Sequence, residues 1–270
     1  MAQRFEGCRQ RFRRADAHRK RIAKLWNEAG KAEELHSVVV GMNDDGTGEI
    51  WIRTLYSPDL MDIIALDFGE MLYQLRATLD GCIYQAAIFE SGQNPPPNEN
   101  LLEFPVYTSE GEFKKRAFKI APLPERLKPI VEYVQPYDIP ELAPDEMVFN
   151  IKRAMGMLSD WARKDRHRRL HVVGSYVVSA NPKLRLPDGV TIETMRVAGA
   201  GLLIEQGKVA DFRLAGYRPG MKIEANPDAA IDIAVDEIPP PCADNDTLSN
   251  RLEAMFIATY CIMESFEESF

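Results

Sequence analysis

The chain has little of what usually advertises a function. Among 270 residues there are four histidines and four cysteines. The cysteines (Cys8, Cys82, Cys242 and Cys261) are widely scattered, with no Cys-x-x-Cys pair, which argues against zinc ribbons and for free thiols in a reducing, cytoplasmic setting. No apolar run approaches the roughly 20 residues of a membrane-spanning helix. The basic residues near Met1 are not followed by an apolar stretch, so no secretory signal is expected. There is no internal repeat and no low-complexity tract. Nucleotide and calcium motifs are also wanting. Gly199-Ala-Gly201 lies between strand-like segments rather than ahead of a helix, and Asp44-Asp45-Gly46 has no further ligands. Gly174-Ser175 lacks the second glycine of a nucleophile elbow. His18 and His36 have no visible partner in the sequence.

What is there belongs to a packed globular protein: 45% hydrophobic and 27% charged residues, with a net charge of −8. The charge is uneven. Residues 1–31 carry seven Arg and three Lys against Glu6, Asp16 and Glu28. A second basic stretch runs from Trp161 to His171 and holds four arginines and two of the histidines. An acidic body with two basic segments fits either internal pairing or an anionic ligand, and internal pairing fits better because an acidic protein repels nucleic acid at long range.

Hydrophobic periodicity predicts a helix over residues 3–29, with a narrow seam of Phe5, Cys8, Phe12, Ala15, Ile22 and Trp26 interrupted at Arg19. Such a seam suits a partner helix and suggests a homodimer through this N-terminal helix. Val38–Val40 and Ile50–Ile52 flank an Asp-Gly turn, the pattern of a β-hairpin. A helix follows from Ser57-Pro58 to about Phe89, with a break expected at Gly69. Short helices are expected after the Ser109/Glu112 capping pair and from Pro124 to Tyr133. Another should run over 146–167. Six strands are then predicted (172–179, 190–197, 201–205, 209–214, 221–225 and 231–235), read as an antiparallel meander. A closing helix covers 248–267, with Tyr260 among its inward residues. Trp26, Trp51 and Trp161 read as core anchors. The fold class is α+β, a helical first half packed with a mainly antiparallel sheet and a closing C-terminal helix. One composite domain is expected over 1–270, helix-rich to about 168 and β-rich from about 169.

The chemistry concentrates in the second basic stretch. His167 and His171 have the i,i+4 spacing of a two-histidine metal site, but Arg166, Arg168 and Arg169 would repel a cation, so no metal is expected. Arg166 and His171 also make an Arg-x4-His spacing, with Arg163 one turn earlier. A metal-independent ribonuclease needs a histidine to move the 2′-hydroxyl proton and a cation to stabilise the phosphorane. The simpler account is that a basic last turn complements the helix dipole. A second polar stripe, Arg76, Asp80 and Tyr84, lies on the 58–89 helix. Asp80 is expected to pair with Arg166 or orient His167, with Asp165 alongside. The catalytic candidates are therefore His167, His171, Arg166 and Arg76. The binding candidates are Arg163, Asp80, Asp165, Arg168 and Arg169.

Four short motifs occur in order: Leu75-Arg76-Ala77-Thr78-Leu79-Asp80-Gly81-Cys82, Phe104-Pro105, Gln135-Pro136-Tyr137 and Asp165-Arg166-His167-Arg168. Over about residues 65–175 the chain resembles a broad group of bacterial proteins of unsettled activity. In that group the first motif has an Arg-x4-His form similar to HEPN ribonuclease domains. Here Gly81 stands where the histidine would be, and glycine cannot shuttle protons. The resemblance implies either a structural polar core or a ribonuclease that relies on His167 or His171. Three readings follow: a noncatalytic binding or interaction protein without a cofactor, holding RNA or another phosphate-bearing ligand; an HEPN-like endoribonuclease; and a metal-dependent hydrolase using His167 and His171. The first is favoured, with no membrane association.

Overall fold

The computed structural model describes residues 5–31, 35–55, 58–137, 146–167, 172–199, 201–203, 205–235 and 248–270. The fold is α+β. Six α-helices are described: α1 (Glu6–Lys31), α2 (Pro58–Ser91), α3 (Glu110–Lys115), α4 (Lys128–Tyr133), α5 (Glu146–His167) and α6 (Leu248–Glu268). Nine strands accompany them: β1 (His36–Met42), β2 (Thr47–Thr54), β3 (Val172–Ala180), β4 (Lys183–Arg185), β5 (Thr191–Val197), β6 (Gly201–Leu203), β7 (Gln206–Ala215), β8 (Glu224–Asn226) and β9 (Ala229–Val235). The chain divides into two compact units, each discontinuous in sequence. One comprises residues 1–22, 65–170 and 250–270, and the other 23–64 and 171–249.

The first unit is helical. Phe68, Leu72, Leu75, Leu79, Cys82, Ile83 and Ala86 of α2 are all buried, as their spacing predicts. Trp161 packs on Phe68 at 5.4 Å between ring centroids, and Phe104 and Phe266 close the same core. The α1 seam packs within its own chain. Phe5 meets Phe89 and Phe270, and Phe12 meets Phe256 edge-on. Arg19, which interrupts the seam, lays its guanidinium over the Phe256 ring at 4.8 Å and bonds Asp16. Phe5, Cys8, Ala15, Ile22 and Trp26 of that stripe are buried within the chain. Tyr260 departs from expectation. It is 44% exposed and bonds Glu264, because its hydroxyl is satisfied toward solvent while Phe256 and Met263 fill the buried face of α6.

α2 runs unbroken through Gly69. A Cβ at Gly69 would lie 2.6 Å from both carboxylate oxygens of Asp165 on α5, so this glycine admits a side chain from a neighbouring helix rather than breaking its own. Ser109 caps α3 by accepting the Glu112 amide at 3.2 Å.

In the second unit every described strand pairing is antiparallel, but the order is not a meander. The sheets run β1-β2-β7-β5, β6-β3-β9 and β4-β8. The β1–β2 hairpin supplies a long edge strand, and β7 pairs with β2 on one side and β5 on the other. Strands close in sequence therefore have non-local neighbours. Ile50, Ile52, Val177, Leu203, Val209, Phe212 and Leu214 form the core of this unit. Trp51 sits on the opposite face of β2 from Ile50 and Ile52, half-buried, with Nε1 donating to Glu49, and is not a core anchor.

Candidate functional site

Within the helical unit, α1 and α2 border a groove of about 390 Å³. Tyr73, Arg76, Ala77, Asp80, Gly81 and Tyr84 line one side of it, at spacings of three and four that place them on one face of α2. Gly7, Cys8 and Arg11 of α1 line it as well. The Arg76, Asp80 and Tyr84 stripe read from the sequence therefore borders one hollow.

Arg76 and Asp80 act chiefly on main chain. Asp80 Oδ1 accepts the Phe104 amide at 2.9 Å, and Arg76 Nη2 donates to the Phe104 carbonyl at 2.9 Å. Their own ion-pair contact is longer, 3.4 Å. Both hydrogen-bonding groups of one peptide residue are thus held by two side chains one helical turn apart, as a neighbouring strand would hold them. Gln135 bridges two later residues of the same segment. Its Oε1 accepts the Tyr107 amide at 3.0 Å, and its Nε2 donates to the carbonyls of Pro105 at 2.7 Å and Val131 at 2.8 Å. Three of the four motifs therefore converge on one extended segment, residues 103–107. Arg76 is 8% exposed, and its Nη1 has no hydrogen-bond partner among the described residues.

Gly81 is closed by α1. A Cβ there would meet Cys8 Sγ at 2.9 Å, so a larger residue cannot stand at this position without moving α1 or the thiol. Thr78 Oγ1 reaches the Cys8 carbonyl at 3.5 Å, a long contact, while bonding Gln74 O at 2.8 Å. Tyr84 donates to Glu99 at 3.3 Å, and desolvation together with that carboxylate raises its phenol, which stays a neutral donor.

The second basic stretch is only partly described. Arg163 is 69% exposed at its side chain and bonds Asp160 at 2.7 Å, and Lys164 reaches the other oxygen of the same carboxylate at 2.7 Å. Burial works against ionisation of Asp160, but bonds from Lys164 and Arg163 prevail and hold it below the usual carboxylate range. Asp165 faces Gly69, and burial, then Glu70 nearby, raises its carboxyl. The side chains of Arg166 and His167, and the whole of Arg168, Arg169 and His171, lie outside the described residues. The expected approach of Asp80 to Arg166 or His167 falls on those side chains. Gly69, which Asp165 touches, stands eleven residues before Asp80, about 16 Å along α2 at the usual helical rise.

Two histidines without visible partners in the sequence have them in the fold. His18 Nδ1 lies 2.9 Å from Asp67 Oδ1, and Arg21 donates to the same oxygen at 3.2 Å. His36 Nε2 lies 2.8 Å from Ser175 Oγ, and burial lowers its pKa to about 4. Both partnerships are non-local, and no spacing rule signals them. Among the described residues no cluster of three or more His, Cys, Asp or Glu suited to a metal occurs, and no helix is long and apolar enough to cross a membrane.

Comparison of this chain with protein-family models, with curated proteins and with solved structures finds no match.

Proposed function

We propose that the chain is a noncatalytic binding protein that takes a phosphate-bearing ligand in the α1–α2 groove. The observation that carries the reading is the pair of guanidinium groups, Arg11 and Arg76, lining one hollow with Gly81. Guanidinium matches phosphate oxygens in bidentate geometry, and Tyr73, Tyr84 and Gln85 add neutral polar groups around it. Among the described residues Asp80 is the one acidic residue lining the groove, and its Oδ1 already holds the Phe104 amide. The position that would carry a proton-shuttling histidine is a glycine packed against Cys8. The Arg-x4-Gly form of the first motif then reads as part of a structural polar core around residues 103–107 rather than as a catalytic signature.

Calorimetric titration with inorganic phosphate and with a short 5′-phosphorylated oligoribonucleotide tests this. Saturable binding is expected, weakened about tenfold or more in Arg11→Ala, since a hydrogen bond to a charged group contributes roughly 1.5–3 kcal/mol. The RNA should remain intact. Cleavage that persists in EDTA and is lost in His167→Ala overturns the reading in favour of an endoribonuclease. Cleavage only with added divalent metal overturns it in favour of a hydrolase.

A further inference from the structure

Cys8 and Cys82 are far apart in the sequence, and the crossing of α1 over α2 brings them together. Cys8 sets its sulfur against Gly81 and its carbonyl toward Thr78. Thr78 and Cys82 are four residues apart and share a face of α2, so the face that receives Cys8 also presents Cys82. Both thiols are free and buried, Cys8 packed against Gly81 and Cys82 the next residue along α2. Their access differs. Cys8 lines the groove, while Cys82 is outside its lining and fully enclosed (0% exposed). A small-residue crossing is not needed merely to fill a core. Here it sets one cysteine in the lining of the hollow and a second, next to Gly81 on α2, outside that lining.

We propose that Cys8 and Cys82 are a redox dithiol in which Cys8 meets a hydroperoxide entering the groove and Cys82 closes a disulfide. In the first step Cys8, as thiolate, attacks the terminal peroxide oxygen. The O–O bond breaks, Cys8 becomes a sulfenic acid, and the departing alkoxide leaves as alcohol with the proton that Cys8 released. In the second step the Cys82 sulfur attacks the Cys8 sulfur. The S–S bond forms, the S–O bond breaks, and hydroxide leaves as water with the Cys82 proton. Two thiols and one hydroperoxide give one disulfide, one alcohol and one water, a two-electron oxidation of the protein.

The surroundings divide the roles in the same way. The hydrogen bond from Cys82 and the nearby Arg11 charge outweigh burial and Glu267, and hold the Cys8 thiol below its ordinary range. That same hydrogen bond, with burial, raises the Cys82 thiol well above it. The thiolate is the nucleophile toward peroxide, so the sulfur that the oxidant can reach is also the readier one. The proposal is independent of ligand binding, since its test needs no phosphate compound.

The test is peptide mapping under non-reducing conditions after the folded, fully reduced chain meets one equivalent of hydrogen peroxide. A peptide pair joined through Cys8 and Cys82 should be the main product, and the thiol count should fall from four to two. In Cys82→Ser, Cys8 should stop at the sulfenic acid and be trapped by dimedone. In Cys8→Ser, Cys82 should stay reduced. The idea is overturned if Cys8 and Cys82 stay reduced in the wild-type chain while the half-buried Cys261 oxidises, or if they react only after urea unfolds the protein. The wild-type mapping decides the matter even where a cysteine variant fails to fold.

Discussion

Gly69 and Asp165 meet so closely that a methyl group on the first would stand 2.6 Å from both oxygens of the second. Gly69→Ala should therefore destabilise the protein by roughly 1–3 kcal/mol, the usual range for overpacking. In an Asp165→Ala background the same change should become stabilising by about 1 kcal/mol, the helix preference for alanine over glycine. Urea denaturation of the four proteins in this double-mutant cycle measures both signs.

Asp165 itself is destabilising when charged. Burial, reinforced by Glu70, raises its folded pKa above the ordinary carboxylate value. A raised acid favours the folded state when protonated, so stability is lost as pH rises through the folded pKa. Asp165→Asn should raise the melting temperature at pH 7, and the gain should vanish below about pH 4, where the carboxyl is protonated in both states. A gain that persists unchanged at pH 3 would contradict this.

His36 gives the opposite slope. Burial lowers its pKa to about 4 from 6.5. As pH falls below 6.5, the unfolded chain takes up the proton before the folded one, so stability declines from pH 6.5 to about 4 and then levels. In His36→Gln that part of the decline should disappear, as read from denaturation midpoints at half-unit pH intervals.

The clamps on residues 103–107 rank by burial. Gln135 is 0% exposed and makes three hydrogen bonds, whereas the Asp80 side chain is 36% exposed. Gln135→Ala should cost about 3 kcal/mol and Asp80→Ala about 1 kcal/mol, because water from the groove that Asp80 lines can take the place of its carboxylate. Equal losses in thermal melts would show that exposure does not govern them.

Gly81→His should not create a ribonuclease. It should lower the melting temperature by several degrees, since its Cβ would press on Cys8 Sγ. Cys8→Ala should recover part of that loss. Thermal melts with an RNA cleavage assay check both statements.

The elements themselves were legible. The 146–167 helix has its predicted bounds, and the hairpin and the Ser109 cap form where turn and cap residues place them. These features depend on neighbours a few residues away. The sheet order was hidden because β7 chooses partners from β2 and β5, which no local pattern encodes. The short β4 strand has too few residues to show a period. At the site, the Arg76, Asp80 and Tyr84 stripe was visible from helical spacing. Asp80's partner was not, because it is a backbone amide, and every residue but proline has one. The Cys8–Cys82 pair was invisible for a related reason. Two lone cysteines carry no spacing signal until helices cross.

The segment at residues 103–107 has a built-in check on its own threading. Asp80 Oδ1 accepts an N–H from the residue opposite, and Phe104 supplies that donor. Were the segment to slip back by one position, Pro105 would arrive there instead, with a ring nitrogen that has nothing to donate. A single-residue deletion upstream of Phe104 is thus penalised at once, whatever side chains it brings along.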